Sequence, residues 1–156
     1  MSANEPVLPI LFGDSDIDAL NAAWEQKTTF AYAAKRSGVS EDWIKAQLKS
    51  LPTDFHEDRF ILFTSGSTGE PKLIIGNKKR SEQLTQILHQ VQESEPVEET
   101  VVMLPLTYTF AFVNQWLWAK THLKKITLTT GLSDPKALAE TLKKSKKSML
   151  CMVGAI

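Results

Sequence analysis

Phe60-Ile61-Leu62-Phe63-Thr64-Ser65-Gly66-Ser67-Thr68-Gly69-Glu70-Pro71-Lys72 joins a short apolar run to a loop made of glycine, hydroxyl side chains and a lysine. The run, bounded by Arg59 and by turn residues, predicts a buried strand of an α/β sheet. In the loop, Gly66 and Gly69 free the backbone to present successive amide N–H groups, the Ser and Thr hydroxyls donate without charge, and Lys72 adds a cation. Such a donor set suits a polyphosphate, and it sits at a strand end, where α/β sheets bind ligands. It is not a Walker A loop, because the glycines are too close together and Leu73, not Ser or Thr, follows Lys72. The plain alternative is a flexible Gly/Ser connection.

Toward the N-terminus the pattern is helical. Ser15 is placed to cap a helix carrying Ile17, Leu20 and Trp24, and Ser40 to cap a second with Ile44, Leu48 and Leu51, where Val39 and Ile44 form a hydrophobic staple. Phe30 to Lys35 reads as a short helix ended by Gly38, and Pro52 closes the segment. Residues 1–57 are therefore expected to be a helical segment and residues 58–156 an incomplete α/β nucleotide-binding subdomain.

Toward the C-terminus, Leu73-Ile74-Ile75 predicts a second short strand, and Ser81 to Val91 a helix with Leu84, Ile87, Leu88 and Val91 on one stripe. Glu93 to Thr100 reads as a polar loop. Val101 to Leu104 reads as a strand stopped by Pro105, Phe110 to Lys120 as an aromatic-rich helix and Ile126 to Thr129 as a strand. Asp134-Pro135 starts a helix with Leu138 and Leu142, and Met149 to Val153 reads as the last, interior strand. Strands alternating with helices predict an α/β fold: an open, mostly parallel sheet with helices on both faces and right-handed crossovers. No helix follows the last strand to cover it, so the chain is expected to be part of something longer, or to pair that edge with another copy.

Composition narrows the partners. The 156 residues carry 18 Lys+Arg against 18 Asp+Glu, a net charge of +0, so no long-range field favours nucleic acid or an acidic membrane. With 42% hydrophobic residues a real core is within reach, and Cys151, the single cysteine, excludes an intrachain disulfide. Met1 to Pro9 lacks the pattern of a secretory signal, and no apolar run approaches a membrane span. A soluble, cytoplasmic protein is expected.

Phe63 to Lys72 resembles the signature of the adenylate-forming (AMP-dependent synthetase/ligase) superfamily, which includes acyl- and aryl-CoA ligases, nonribosomal peptide adenylation domains and firefly luciferase. That signature is an aromatic residue, Thr-Ser-Gly-Ser/Thr-Thr-Gly, a variable residue, Pro, Lys and usually Gly; only Leu73 departs from it. Leu104-Pro105-Leu106-Thr107-Tyr108-Thr109-Phe110-Ala111 is similar, more weakly, to the family's Leu-Pro-Leu-aromatic-His segment, with Tyr108 where many members carry His. The resemblance covers about Phe60 to Val153. It implies the front part of the family's large N-terminal domain.

The resemblance implies that Thr64, Ser65, Gly66, Ser67, Thr68, Gly69 and Lys72 hold the nucleotide phosphates and that Tyr108 lines the acyl pocket. It implies ATP, Mg2+, a small carboxylic acid, and coenzyme A or another thiol acceptor. The reaction would be carboxylate plus ATP to acyl-AMP and pyrophosphate, then thioester formation. The family's magnesium-binding Thr-Glu pair, ribose-binding Asp, hinge and C-terminal catalytic lysine have no counterpart here, so no catalytic residue is assigned and the chain alone is expected to be inactive. The alternatives are a non-catalytic nucleotide- or acyl-binding module, acting as an oligomer, and an interaction piece with a relic loop.

Other candidates are weaker. Ser65 as a covalent nucleophile lacks a Gly-x-Ser-x-Gly elbow and a signalled His/Asp partner. Trp116, Trp118, Phe110 and Phe112 read as core before they read as a pocket. His56, His89 and His122 share no metal-ligand spacing, and the Lys143-Lys144 and Lys146-Lys147 run reads as a solvated face near a helix C-terminus.

Overall fold

The computed structural model describes residues 7–13, 16–35, 38–64 and 69–154. Two compact units, Met1–Lys79 and Arg80–Ile156, make up the chain. The expected boundary at residue 57 falls inside the first unit, because strands on either side of it pair with one another.

The first unit is built on a four-stranded sheet of order β1-β2-β3-β4. Its elements are β1 (Ile10–Phe12), α1 (Ile17–Glu25), β2 (Phe30–Ala33), α2 (Glu41–Lys49), β3 (Arg59–Thr64) and β4 (Lys72–Asn77). β1, β2 and β3 run parallel, and β4 returns antiparallel to β3. Asp16 caps α1, its carboxylate accepting from the Ala19 amide at 3.0 Å; the expected cap, Ser15, lies outside the described residues. Ser40 caps α2 as expected, accepting from the Trp43 amide at 3.2 Å, and Val39 packs on the cluster that holds Ile44, so the staple forms.

Phe30 to Lys35 is not a helix: Phe30–Ala33 is β2, paired on both sides. The strand sits between β1 and β3 with all its residues buried, and tertiary pairing overrides local propensity. Phe30 meets Trp24 of α1, while Ala31 and Ala33 pack with Ile44 and Leu48 of α2. Because neighbouring strand residues face opposite ways, this sheet has helices on both faces.

The second unit centres on a three-stranded parallel sheet of order β6-β5-β7, formed by β5 (Glu99–Val102), β6 (Lys125–Leu128) and β7 (Ser148–Leu150). α3 (Lys78–Val91) leads into it. α4 (Thr109–Ala111), a π-helical stretch (Phe112–Leu117) and α5 (Trp118–Thr121) form one helical run between β5 and β6, and α6 (Pro135–Lys144) joins β6 to β7. As expected, Asp134 caps α6 ahead of Pro135, accepting from the Ala137 amide at 2.9 Å. The wide π turn is accommodated by side chains: the Asn114 amide donates to the Phe110 carbonyl at 3.0 Å, and buried Gln115 donates to Thr100 Oγ1 and to the Val101 carbonyl, both at 3.0 Å.

Three expectations shift here. β5 begins at Glu99, not Val101, because Glu99 pairs with Lys125 and accepts from the Thr127 hydroxyl on β6. The last strand is Ser148–Leu150, shorter than Met149 to Val153, and it lies at the sheet edge with β5 as its neighbour. The apolar stripe of α3 is not core: Leu84, Ile87 and Val91 are exposed, while Lys78 and Thr85 are buried. The fold class is α/β with mainly parallel strands, arranged in two sheets rather than one. No helix among the described residues is long and apolar enough to cross a membrane.

Candidate functional site

β3 and β4 form a hairpin whose connection carries the glycine- and hydroxyl-rich loop. Their register places Thr64 opposite Lys72 and Phe63 opposite Leu73, so a hydroxyl-bearing and an ammonium-bearing residue are paired at the neck. Ile61 and Leu62 are fully buried beneath, and Trp43 of α2 meets Phe63 edge-on at 6.1 Å, which anchors the strand end that presents the loop. Lys72 is exposed, with its cation available to solvent or to a ligand. Gly69 has φ +82°, a conformation L side chains rarely adopt, and open space where a Cβ would stand. The structure therefore sets Thr64 and Lys72 opposite each other at one strand end, with Gly69 in the connection between them. Ser65, Gly66, Ser67 and Thr68 lie outside the described residues.

Tyr108 belongs to the second unit. It is the residue before α4, its amide donates to the Pro105 carbonyl at 3.0 Å, and the Phe112 amide donates to its carbonyl at 2.9 Å. Leu106 is fully buried while Tyr108 is about half exposed, so the turn projects the phenol outward. Phe112, Trp116 and Trp118 are fully buried and are core, as expected; Phe110 is partly exposed.

Sequence spacing missed one cluster. His89 and His122, from α3 and from the end of α5, stack with ring centroids 3.9 Å apart and planes at 14°. The Trp118 indole N–H donates to His89 Nδ1 at 3.2 Å, His89 Nε2 lies 2.8 Å from Glu95, and His122 Nε2 lies 3.3 Å from the Thr85 carbonyl. Burial, above all, holds the His122 imidazole below its ordinary value. Only the helical periodicities of Thr85–His89 and Trp118–His122, an i, i+4 pair on each element, hinted at facing stripes.

Burial pushes the Cys151 thiol up, away from thiolate character. In the basic run, Lys143 pairs with Glu140 at 2.9 Å and Lys147 with Glu98 at 2.8 Å, both exposed.

The sequence profile described as AMP-binding enzyme matches residues 11–156. The chain belongs to this family. o-Succinylbenzoate coenzyme A synthetase from Bacillus subtilis, in complex with AMP, is similar to this chain with TM-score 0.59 and 12% identity, over 87% of this chain and 46% of that one. The same enzyme with the acyl-adenylate intermediate OSB-AMP gives TM-score 0.54 at 12% identity, over 87% and 36%. McyG A-PCP complexed with phenylalanyl-adenylate gives TM-score 0.51 at 18% identity, over 78% and 23%. These likenesses show the fold, and the chain spans less than half the length of each of these structures. No curated protein matches it.

Proposed function

We propose that this chain carries the phosphate-binding loop of an ATP-dependent acyl- or aryl-adenylating ligase. The observation that supports the reading is the hairpin neck, where Thr64 faces Lys72 across the register and Gly69 holds a left-handed backbone in a chain of the AMP-binding family. A hydroxyl donor, an exposed ammonium and a backbone free to turn its amides toward one point fit a triphosphate, with Mg2+ arriving on the nucleotide. In the reaction proposed, a carboxylate displaces pyrophosphate from ATP and the acyl group then passes to a thiol, coenzyme A or another.

Within that reaction this chain's residues bind and orient. Lys72 offsets charge on the departing pyrophosphate, Thr64, Ser65, Ser67 and Thr68 donate to phosphate oxygens, and Gly66 and Gly69 let the amides approach. Tyr108 is assigned to the acyl side, by resemblance. No residue here is assigned to proton transfer or covalent catalysis, so the chain alone binds ATP without turning it over. A cytoplasmic location supplies ATP and reduced thiols.

Carboxylate-dependent ATP–pyrophosphate exchange tests this division of labour. The expected result is no exchange above background by the 156-residue chain with a panel of fatty and aromatic acids. Robust exchange by the chain alone would show that it holds the catalytic residues as well.

A further inference from the structure

Two helix ends meet in the second unit at His89 and His122, and their hydrogen bonds define the protonation state they require. An indole N–H can only donate, so His89 Nδ1 accepts from Trp118, and its Nε2 carries the proton that faces Glu95. A backbone carbonyl can only accept, so His122 Nε2 carries the proton that faces Thr85. His89 is therefore the neutral Nε2–H tautomer in this arrangement, and His122 holds a proton at Nε2. Trp118 is fully buried and the His89 side chain is 12% exposed, so the indole N–H has no solvent to turn to, while His89 remains within reach of protons.

We infer that the stacked His89–His122 pair is an acid-sensitive latch that holds the end of α3 against α5 when neutral and releases it on protonation. A proton on His89 Nδ1 sets two donors against each other and strands the Trp118 indole in the core. A charge on either ring also confronts the other across 3.9 Å, which disfavours double protonation.

The charged groups acting on the pair are Glu95, from the turn after α3, and Lys124, from the turn after α5, whose ammonium donates to the Glu95 carbonyl at 3.1 Å. Glu95 favours a charged imidazole and Lys124 opposes it. Both histidines also lie at helix C-terminal ends, where the dipole favours a cation. For His122 burial outweighs these attractions, because its charged form is disfavoured on balance. The sign follows: the unfolded chain binds the proton more readily, so this contribution to stability is complete above the ordinary imidazole value, about 6.5, and is lost as pH falls below it.

The test combines imidazole 15N spectra of the intact chain, titrated from about pH 8 to pH 5, with thermal unfolding of the wild type and of His122→Phe, which keeps a ring in the stack but cannot titrate. The latch predicts Nε2–H tautomers at both rings at the alkaline end, and a Trp118 indole resonance that shifts with the His89 midpoint. It also predicts a midpoint of unfolding that falls by a few degrees on acidification in the wild type and by less in His122→Phe. A Trp118 resonance indifferent to His89 titration, or equal acid sensitivity in the two proteins, would overturn it; if His122→Phe does not fold, the wild-type spectra alone decide.

Discussion

Lys78 shows how one residue can join elements that sequence reading keeps apart. A cation in the first turn of α3 is at the unfavourable end of its own helix, yet its ammonium donates to the carbonyls of Ala23, Trp24, Gln26 and Thr28 at 2.5–3.2 Å, around the C-terminal end of α1. The rings of Phe30 and Trp24 lie 5.1 and 5.8 Å from it. Lys78→Met leaves those buried acceptors without a charged donor and is expected to cost roughly 1–3 kcal/mol, read as a lower urea midpoint with an unchanged m-value. Gly76 is bound as tightly by packing: a Cβ there would collide with the Phe60 ring, itself buried. Gly76→Ala is expected to destabilise by roughly 1–3 kcal/mol in the same assay, and Phe60→Leu beside it to recover part of the loss.

At the scale of elements, the caps of α2 and α6 and the strand β3 were legible because their signals are local. Ser40, Asp134-Pro135 and the Phe60 to Phe63 run each act within a few residues. β2 was not legible, because Phe30–Ala33 becomes a strand through partners at Ile10–Phe12 and Phe60–Ile61 that its own composition does not announce. Likewise, the early start of β5 depends on Thr127 and Lys125, far along the chain. Glu99 there is buried, and the Thr127 hydroxyl, then Lys125, hold its carboxyl below the usual carboxylate range. A depressed carboxylate contributes stability that is present above its unfolded value, about 4.3, and lost as pH falls through the folded one. Glu99→Gln is therefore expected to lower the thermal midpoint at about pH 7, and the gap to wild type to close at about pH 3.

At the scale of the whole molecule, the family was legible from ten residues, Phe63 to Lys72, while the division into two units at Lys79 was not. A motif is a local statement about chemistry; a unit boundary is the outcome of every long-range pairing at once. The same distinction applies to the site. Thr64 and Lys72 meet at one strand end because the register of β3 and β4 brings them there, and the pattern of residues alone already pointed to a phosphate. Equilibrium binding of MgATP to the 156-residue chain, compared with Lys72→Ala, decides whether this loop holds a nucleotide. Saturable binding is expected, weakened about tenfold or more by removing the Lys72 ammonium, the loss of a charge-assisted contact to phosphate. Binding that is absent, or equal in the two proteins, would contradict that reading.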